Sequence, residues 1–409
     1  MTVTSFNRMG SANSYDSTIA NLQTRQAALS NLQQSLSSGK KINTPADDPT
    51  GAAQAERALN RLSRIATDQR ALETQRNTIA QAESTLGSIT DAMQQANELV
   101  VSAGSGTLTT ADRKTITDQI AGLRQTILSL ANTQDANGQP IFSALGSAQN
   151  PFAGPATSPD YAFNGLPGTA AGGTYSIAPA LDGESAFMLQ PARDAAYNVQ
   201  TNAAGTLTTD NVTAVNPALV NGSTYQVQVT GFAGSTVTYS LTETTASGTT
   251  LAPTTGLTAP WTASSGFAVG GMAGLSLNVK GTPAAGNTVS VTPNSSVFAT
   301  LDKAVADINA ATTSTGASQA VNQALHNISI SMARISALRG QAGDLLNRAD
   351  AITSTNTQRT IEQKADQSRA EDVDMVSAIS TFQSQQTGYQ AALQSYAQIQ
   401  KLSLFNYVG

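Results

Sequence analysis

The chain has 409 residues, of which 12% are charged, and its net charge is −5 with a pI near 4.9. Its 22 Lys and Arg residues are scattered along the chain. This argues against nucleic acid as a partner, because binding to the phosphate backbone needs clustered Lys and Arg side chains. The absence of Cys excludes disulfides and Cys-ligated zinc, and no run approaches the ~18 apolar residues of a membrane span. The first residues lack the continuous apolar core of a secretory signal peptide, so we expect any export to proceed without a cleaved signal.

The first predicted helix carries a narrow stripe whose members follow one another by steps of four and three residues. That rhythm is typical of a coiled-coil seam, in which every member faces one partner helix. Ser14 is a candidate N-cap and Gly39 a candidate stop, because glycine adopts the left-handed conformation without steric strain. The stripe consists of Tyr15, Ile19, Leu22, Gln26, Leu29, Gln33 and Leu36.

A second, much longer helix is predicted from Pro49 to about Ala103. Pro45 and Pro49 exclude a helix through the preceding loop, and Asp48 before Pro49 has the order of an N-cap followed by a first-turn proline. About 55 residues at ~1.5 Å each give a rod on the order of 80 Å. Its apolar residues recur every seven positions, at Ile65, Leu72, Ile79, Leu86, Met93 and Val100.

A shorter amphipathic helix follows the break at Gly104–Gly106. Thr109 and Asp112 have the spacing of a capping box at its start, and we expect the helix to end near Asn137–Gly138. Its apolar face consists of Ile116, Ile120, Leu123, Ile127 and Leu130.

The character of the chain changes at about Pro151, where Gly, Thr, Ala and Pro become frequent and charged residues rare. Short runs alternate apolar and polar side chains between Gly or Pro residues, as the strands of an antiparallel domain do. The stretch Arg193–Val215 is too polar for an assignment. The predicted strands are Thr224–Thr230, Val237–Leu241, Leu275–Val279 and Thr288–Thr292.

Helices return after Ser295–Ser296, first as a short segment and then, beyond a break at Thr312–Gly316, as a second long helix. We expect this helix to continue through the polar stretch Thr353–Arg369 into the end of the chain, where the four–three rhythm reappears. Because two Tyr and one Gln occupy this last stripe, it is weak for a self-sufficient dimer and needs a partner. Its members are Met375, Ile379, Phe382, Gln386, Tyr389, Leu393 and Tyr396.

These elements predict a mostly α fold with an inserted β domain. The long helical-rod or coiled-coil terminal segments pair antiparallel, and a central antiparallel β domain lies between them in the sequence. We expect an N-terminal assembly helix at 1–40, two halves of a helical rod at 41–150 and 295–370, a β-rich outer domain at 151–294 and a C-terminal assembly helix at 371–409.

No set of residues predicts catalysis, a cofactor or a metal site, so we expect a protein that is not an enzyme. The single histidine, His326, has no triad or metal-ligand partner nearby in the sequence. Asp47 and Asp48 are better explained as caps in a turn than as ligands, and Trp261 as a packing residue. Tyr389 and Tyr396 have helical spacing, which favours seam packing over ligand binding.

Three stretches resemble the bacterial flagellin-like family, and within it the members at the junction of hook and filament. Leu36-Ser-Ser-Gly-Lys-Lys-Ile-Asn-Thr-Pro-Ala-Asp-Asp-Pro49 resembles the family's N-terminal signature, and its second proline is typical of junction members rather than of filament flagellin. Lys401-Leu-Ser-Leu-Phe-Asn-Tyr-Val408 resembles the junction members' C-terminus, and residues 279–293 resemble the glycine turn before their return helix, with Asn287 and Val289 in place of the family's Asp and Phe. The resemblance is strong over about 1–145 and 280–409 and weak between them.

The resemblance implies an extracellular structural subunit of the flagellum, exported unfolded by the type III apparatus with a cytoplasmic chaperone. It also implies a ring of copies of this chain between the hook-side junction protein and flagellin, assembled through the terminal helices and required for motility. The candidate assembly interface therefore comprises Tyr15, Ile19, Leu22, Leu29, Leu36, Met375, Ile379, Phe382, Tyr389, Leu393, Tyr396, Leu402 and Phe405.

Three other functions remain open at this point. Filament flagellin shares the terminal helices but polymerises into long filaments by itself. A secreted adhesin with a helical stalk would bind glycans or cells through residues 150–295 alone. An enzyme within the insert would need a cluster of polar residues in a cleft, whereas the sequence there offers isolated acids.

Overall fold

The computed structural model describes residues 11–155, 160–202 and 206–408, and over these residues the chain is mainly helical. It divides into two compact units, one formed by the chain up to Arg70 together with the chain from Thr353, the other by Ala71–Ile352. The helices are α1 (Ser11–Ser38), α2 (Pro49–Ala103), α3 (Thr110–Ala131), α4 (Gly183–Phe187), α5 (Pro191–Asp194), α6 (Val297–Ala310), α7 (Ser314–Glu371) and α8 (Met375–Val408).

All strands lie in the insert between α3 and α6, and all pair antiparallel within three sheets. The prediction of a mostly α fold with a central antiparallel β domain is therefore confirmed. The five-segment division remains a prediction. The strands are β1 (Phe152–Ala153), β2 (Ala162–Phe163), β3 (Tyr197–Thr201), β4 (Leu207–Thr209), β5 (Thr213–Ala214), β6 (Thr224–Ala233), β7 (Thr236–Thr244), β8 (Thr254–Pro260), β9 (Phe267–Val269), β10 (Leu275–Gly281) and β11 (Thr288–Pro293).

The start of α2 follows from its local sequence. The Asp48 carboxylate accepts hydrogen bonds from the backbone N–H groups of Thr50 and Gly51, both at 3.0 Å, and so satisfies donors that have no partner within the helix. Pro49 occupies the first helical position, where its missing N–H costs nothing. The predicted N-cap and first-turn proline are both confirmed.

The seven-residue repeat of α2 is buried along its length. Within Ala71–Ile352, Leu72, Leu86 and Val100 are fully buried and belong to one core to which α3, α6 and α7 also contribute. The capping box of α3 is present, with the Thr109 hydroxyl accepting from the Asp112 N–H while the Asp112 carboxylate accepts from the Thr109 N–H. The heptad repeat of α2 and the capping box of α3 could be predicted because both depend on residues that are close together in the sequence.

An aromatic cluster that the sequence did not predict forms part of the same core. Phe298 on α6 lies between rings from loops and short elements of the insert, with centroid distances of 5.1 Å to Tyr161, 5.7 Å to Phe152 and 5.9 Å to Phe187. The cluster attaches the beginning of the insert to the helices. Its rings come from positions far apart in sequence, so no periodic pattern reveals it.

Two sheets share a second core in the β domain. The larger sheet has the order β3-β11-β6-β7-β8, and the smaller one has β4-β10-β5 with β9 also paired to β10. Alternate residues of β6, namely Tyr225, Val227 and Val229, are buried in this core, as the period of two predicts. All four predicted strands are present and longer than expected.

The unassigned stretch Arg193–Val215 contains three strands, β3 to β5. Tyr197 and Val199 point into the β core, whereas their polar neighbours Asn198 and Gln200 donate hydrogen bonds to Asp307 of α6. Gln323 and Asn327, both buried on α7, donate hydrogen bonds of 2.8 and 3.0 Å to the Tyr197 carbonyl oxygen. Long-range partners therefore make a polar segment stable as a strand.

Three predicted boundaries are wrong. Ser14 lies inside α1, because the helix already includes Ser11, so it is not the N-cap. The third helix ends at Ala131 because the Asn132 side chain binds the backbone of Phe152, and residues 137–138 belong to a separate turn. The second long helix ends at Glu371 rather than continuing into the last one.

One attachment of α6 to the β domain contains a partly buried carboxylate. Asp307 accepts hydrogen bonds from the Asn198 amide at 3.0 Å and from the Gln200 amide at 2.8 Å. Burial raises the pKa of the Asp307 carboxyl above its ordinary value of 3.8, although both amides and the Lys303 ammonium act in the opposite direction.

The raised pKa of Asp307 predicts how stability depends on pH. Because the folded state holds this proton more tightly than the unfolded chain, the stabilisation is present below pH 3.8 and is lost as the pH rises through the raised pKa. We expect the free energy of unfolding to fall more over that range in the wild type than in Asp307→Asn, as measured by urea unfolding at a series of pH values. A difference between the two proteins that does not change with pH would contradict this assignment.

Candidate functional site

The helices α1 and α8 lie antiparallel and pack against each other. At one end, the loop after α1 and the segment between α7 and α8 pair through backbone bonds, with the Lys41 N–H donating to the Glu371 oxygen at 2.7 Å and the Val373 N–H to the Gly39 oxygen at 3.0 Å. Gly388 on α8 lies beside the Arg25 guanidinium on α1. The antiparallel pairing of the terminal helices is therefore as the chain order predicts.

The pairing at Gly39 and Glu371 explains why α7 and α8 are separate helices. Gly39 has φ +73, which ends α1, and its carbonyl oxygen accepts the N–H of Val373. The Asp374 carboxylate then caps α8 by accepting from the N–H groups of Val376 and Ser377. The sequence offered no Gly or Pro at this break, because the contact that causes it comes from the other end of the chain.

The face of α8 that is buried in the chain overlaps the predicted stripe only in part. Phe382, Tyr389 and Tyr396 are half-buried, as expected. Ile379, Gln386 and Leu393, which the prediction also placed in the seam, are exposed. The preceding residue takes the seam position in each case, namely Ala378, Gln385 and Ala392. The buried and half-buried members of α8 are Ala378, Phe382, Gln385, Gly388, Tyr389, Ala392 and Tyr396, which again follow steps of four and three apart from Gly388.

The large apolar residues beside this face are exposed. Met375, Ile379 and Leu393 expose 43%, 45% and 42% of their surface, and Val376 exposes 81%. Met375, Ile379 and Leu393 belong to the predicted stripe and Val376 lies beside it, and the described residues of α1 leave all four exposed. We call Met375, Val376, Ile379 and Leu393 the open face of α8.

On α1, the predicted apolar residues Ile19, Leu22, Leu29 and Leu36 are half-buried. Gln26 and Gln33 are exposed, and the half-buried Leu32 replaces Gln33 in the seam. Leu32 could have been found from sequence, because it lies three residues after Leu29 and four before Leu36. The side chains of Tyr15, Leu402 and Phe405 lie outside the described residues.

The seam helices carry almost no charge. From Met375 to Gln400, α8 contains no Asp, Glu, Lys or Arg, and α1 contains only Asp16 and Arg25. An exposed helix without charges is unusual for a solvated surface, and depletion of charge is characteristic of the centre of protein interfaces. The composition of α8 therefore favours contact with protein over contact with water.

The residues weighed as chemical candidates have structural environments. His326 is half-buried, and burial lowers its pKa. Asp47 accepts a hydrogen bond from the Thr44 N–H at 2.7 Å, a contact that lowers its pKa. The Trp261 indole N–H donates to the Gly281 oxygen at 2.8 Å. Over the described residues, no group of three or more His, Asp or Glu has the geometry of a metal site.

None of the helices in the described residues combines the length and the hydropathy that crossing a bilayer requires.

Several flagellar proteins are similar to this chain. Residues 11–147 match the bacterial flagellin N-terminal helical region. Flagellar hook-associated protein 3 of Escherichia coli strain K12 is 25% identical over 96% of both chains, and that of Salmonella typhimurium is 34% identical over 34% of this chain and 44% of its own. The crystal structure of flagellar hook-associated protein 3 from Legionella pneumophila is 22% identical and covers 76% of this chain and 97% of its own with a TM-score of 0.61, which shows a shared fold. The chain thus resembles the flagellin-like proteins and, among them, flagellar hook-associated protein 3.

Proposed function

We propose that this chain is a structural subunit of the bacterial flagellum that joins hook to filament and is required for flagellum-dependent motility. The observation that carries the proposal is the open face of α8, four apolar side chains exposed on a helix that has no charged residue from Met375 to Gln400. Exposed apolar area of this kind indicates a protein partner. The names of the relatives place them in the flagellum, and none of those names describes an enzyme.

In this function, copies of the chain form a ring by covering one another's open faces. The hook-side junction protein and flagellin are the neighbours on the two sides of the ring, and a cytoplasmic export chaperone binds the chain before assembly. The protein acts outside the cell, at the hook–filament junction. The thirteen residues of the predicted interface, with Leu32 and Val376 added, are the proposed contacts.

Deletion of the gene in its own bacterium tests this function. We expect cells with hooks but no filaments, flagellin shed into the medium, and loss of swimming that a plasmid copy restores. Normal filaments in the deletion strain would refute the role. If the deletion strain had no filaments and also no flagellin subunits, the chain would instead be identified as filament flagellin.

Amide exchange of the isolated chain provides a second prediction. Because the seam side chains of α1 and α8 are mostly only half-buried and Gln385 occupies a seam position of α8, the amides of Asp16–Ser38 and Met375–Gln398 are expected to exchange orders of magnitude faster than those of Leu72–Val100. Mass-spectrometric exchange on the monodisperse monomer measures this directly. Equal protection of the terminal helices and of α2 would contradict the idea that their order depends on assembly.

A further inference from the structure

The helices α2 and α7 lie side by side in the unit formed by the two ends of the chain. A groove of about 440 Å³ lies along one side of this pair, and its lining includes Arg57 and Arg61 of α2 together with Asp366 and Arg369 of α7. Arg369 pairs with Asp366, whereas Arg57 and Arg61 form no ion pair with any described residue. We call the side of the two helices that carries Arg57, Arg61 and Asp366 the groove flank.

On α2, the residues that face α7 separate two sets of exposed side chains. Ala58 is buried against α7, and it is preceded by the exposed Arg57 and followed by the exposed Leu59. Because each residue turns a helix by about 100°, Arg57 and Leu59 lie on opposite flanks, and Glu56 lies on the side of Leu59, three residues before it. The side opposite the groove, which we call the far flank, therefore carries an acid on α2, whereas the groove flank carries arginines there.

The order of the charges is reversed on α7. Gln363 is half-buried and its side-chain oxygen contacts Arg61 of α2 at 3.4 Å. Glu362 precedes Gln363 and shares the groove flank with Asp366, four residues further on, whereas Lys364 follows Gln363 and lies on the far flank. Glu362 forms no ion pair with any described residue. Thus α7 has acids on the groove flank and a base on the far flank.

The far flank is exposed, and its charges are not neutralised within the chain. Glu56 and Lys364 are both exposed, and neither forms an ion pair with another residue that the structure describes. Beside them, Leu59 of α2 and Ile361 of α7 expose 42% and 58% of their surface. Exposed apolar side chains flanked by unpaired charges of both signs are typical of a surface that contacts another protein.

We propose that the far flank of one copy packs against the groove flank of the next copy in the ring, with α2 and α7 parallel to the ring axis, an inference that rests on the proposed function. Copies related by the rotation of a ring keep equivalent residues level and equally far from the axis, so α2 meets α2 and α7 meets α7. Glu56 then lies within one residue, or about 1.5 Å along the axis, of the level of Arg57 in the neighbouring copy. Lys364 lies between the levels of the neighbour's Glu362 and Asp366.

Each charge of the far flank therefore meets the opposite charge at its own level. Leu59 lies two residues from the level of Arg61 in the neighbouring copy, and the aliphatic part of an Arg side chain can cover an apolar residue while its guanidinium stays in water. The contact joins two different flanks of the same chain, as the contacts of a closed ring do. Its ion pairs orient neighbouring copies and weaken with salt.

Disulfide trapping tests the contact in intact flagella. The natural chain has no Cys, so Glu362→Cys combined with Lys364→Cys introduces the only thiols. The two positions lie on opposite flanks of one helix and cannot join within a chain, so any disulfide between them links two copies. We expect a ladder of linked oligomers after mild oxidation. The matched control Thr357→Cys/Lys364→Cys, with both thiols on the far flank, should give none, and incorporated Glu362→Cys/Lys364→Cys protein without a ladder would overturn the inference.

Charge exchange identifies the partner residues. The double variant Glu56→Arg/Lys364→Glu leaves the net charge unchanged but places like charges opposite each other on both helices. We expect its incorporation into flagella, measured by immunoblot, to fall by about tenfold at low salt, and that of Glu56→Gln/Lys364→Gln to fall less because it removes attraction without adding repulsion. Adding Arg57→Glu/Glu362→Lys to the reversed variant should restore incorporation. Failure of this restoration in a protein with normal helicity would overturn the inference.

These results separate the inference from the function on which it rests. If the wild-type chain is absent from purified flagella, the proposed function fails and the inference fails with it. If the wild type is incorporated and the reversed variant is incorporated equally well, only the inference is overturned.

Discussion

Leu393→Asp is expected to abolish assembly, and with it motility, while leaving the isolated chain folded. Leu393 belongs to the open face of α8 and exposes 42% of its surface, so a carboxylate there stays hydrated in the monomer. In the proposed ring the same position is covered, and burial of an unpaired charge is far costlier than the ~1.5–3 kcal/mol that burial of a Leu side chain contributes. This penalty would recur at every copy of the proposed ring. Swimming assays and electron microscopy measure the effect, and thermal unfolding of the monomer checks the fold.

A matched control separates position from charge. Ser384→Asp adds the same charge at an exposed position on the side of α8 opposite to Leu393, outside both the open face and the face that packs on α1, and should permit assembly. Phe382→Asp should also abolish assembly, but it additionally weakens the contact between α1 and α8 because Phe382 is half-buried there. If cells carrying Leu393→Asp were motile, the open face would not be part of the assembly interface.

Phe298→Ala is expected to produce the largest loss of stability of a single substitution in Ala71–Ile352. Phe298 is fully buried and contacts three other rings, so its truncation leaves a cavity at the centre of the aromatic cluster. Large-to-small changes of this kind cost about 3–5 kcal/mol. Urea unfolding followed by circular dichroism measures the change in the free energy of unfolding.

The control for this prediction is Phe232→Ala in the β domain. Phe232 is partly buried and has one ring neighbour, Trp261, at 5.1 Å, so the loss should be clearly smaller. Equal losses for the two variants would mean that the aromatic cluster does not attach the insert to the helices as described.

Much of the helical fold could be predicted from the sequence because its signals are local. The Asp48 cap, the Thr109–Asp112 capping box and the heptads of α2 depend on residues within a few turns of each other. The same holds for β6, β7, β10 and β11, because the predicted segment of each strand alternates apolar and polar residues. The strands in Arg193–Val215 were missed because their polar residues are satisfied by α6 and α7, more than a hundred positions away.

In the candidate interface, too, local features could be predicted from the sequence and long-range contacts could not. The sequence by itself determined that the first and last helices carry low-charge seams and face one another in antiparallel order, because heptad spacing and chain order are sufficient for that. The sequence could not predict which edge of the α8 seam contacts α1. Both edges are apolar, and they are related by a shift of one residue, which corresponds to a rotation of the helix by about 100°. Only the tertiary structure decided it, by pairing the Gly39 loop with the segment after Glu371. That pairing fixes the rotation of α8, buries Ala378, leaves Ala392 half-buried, and leaves Met375, Ile379 and Leu393 exposed.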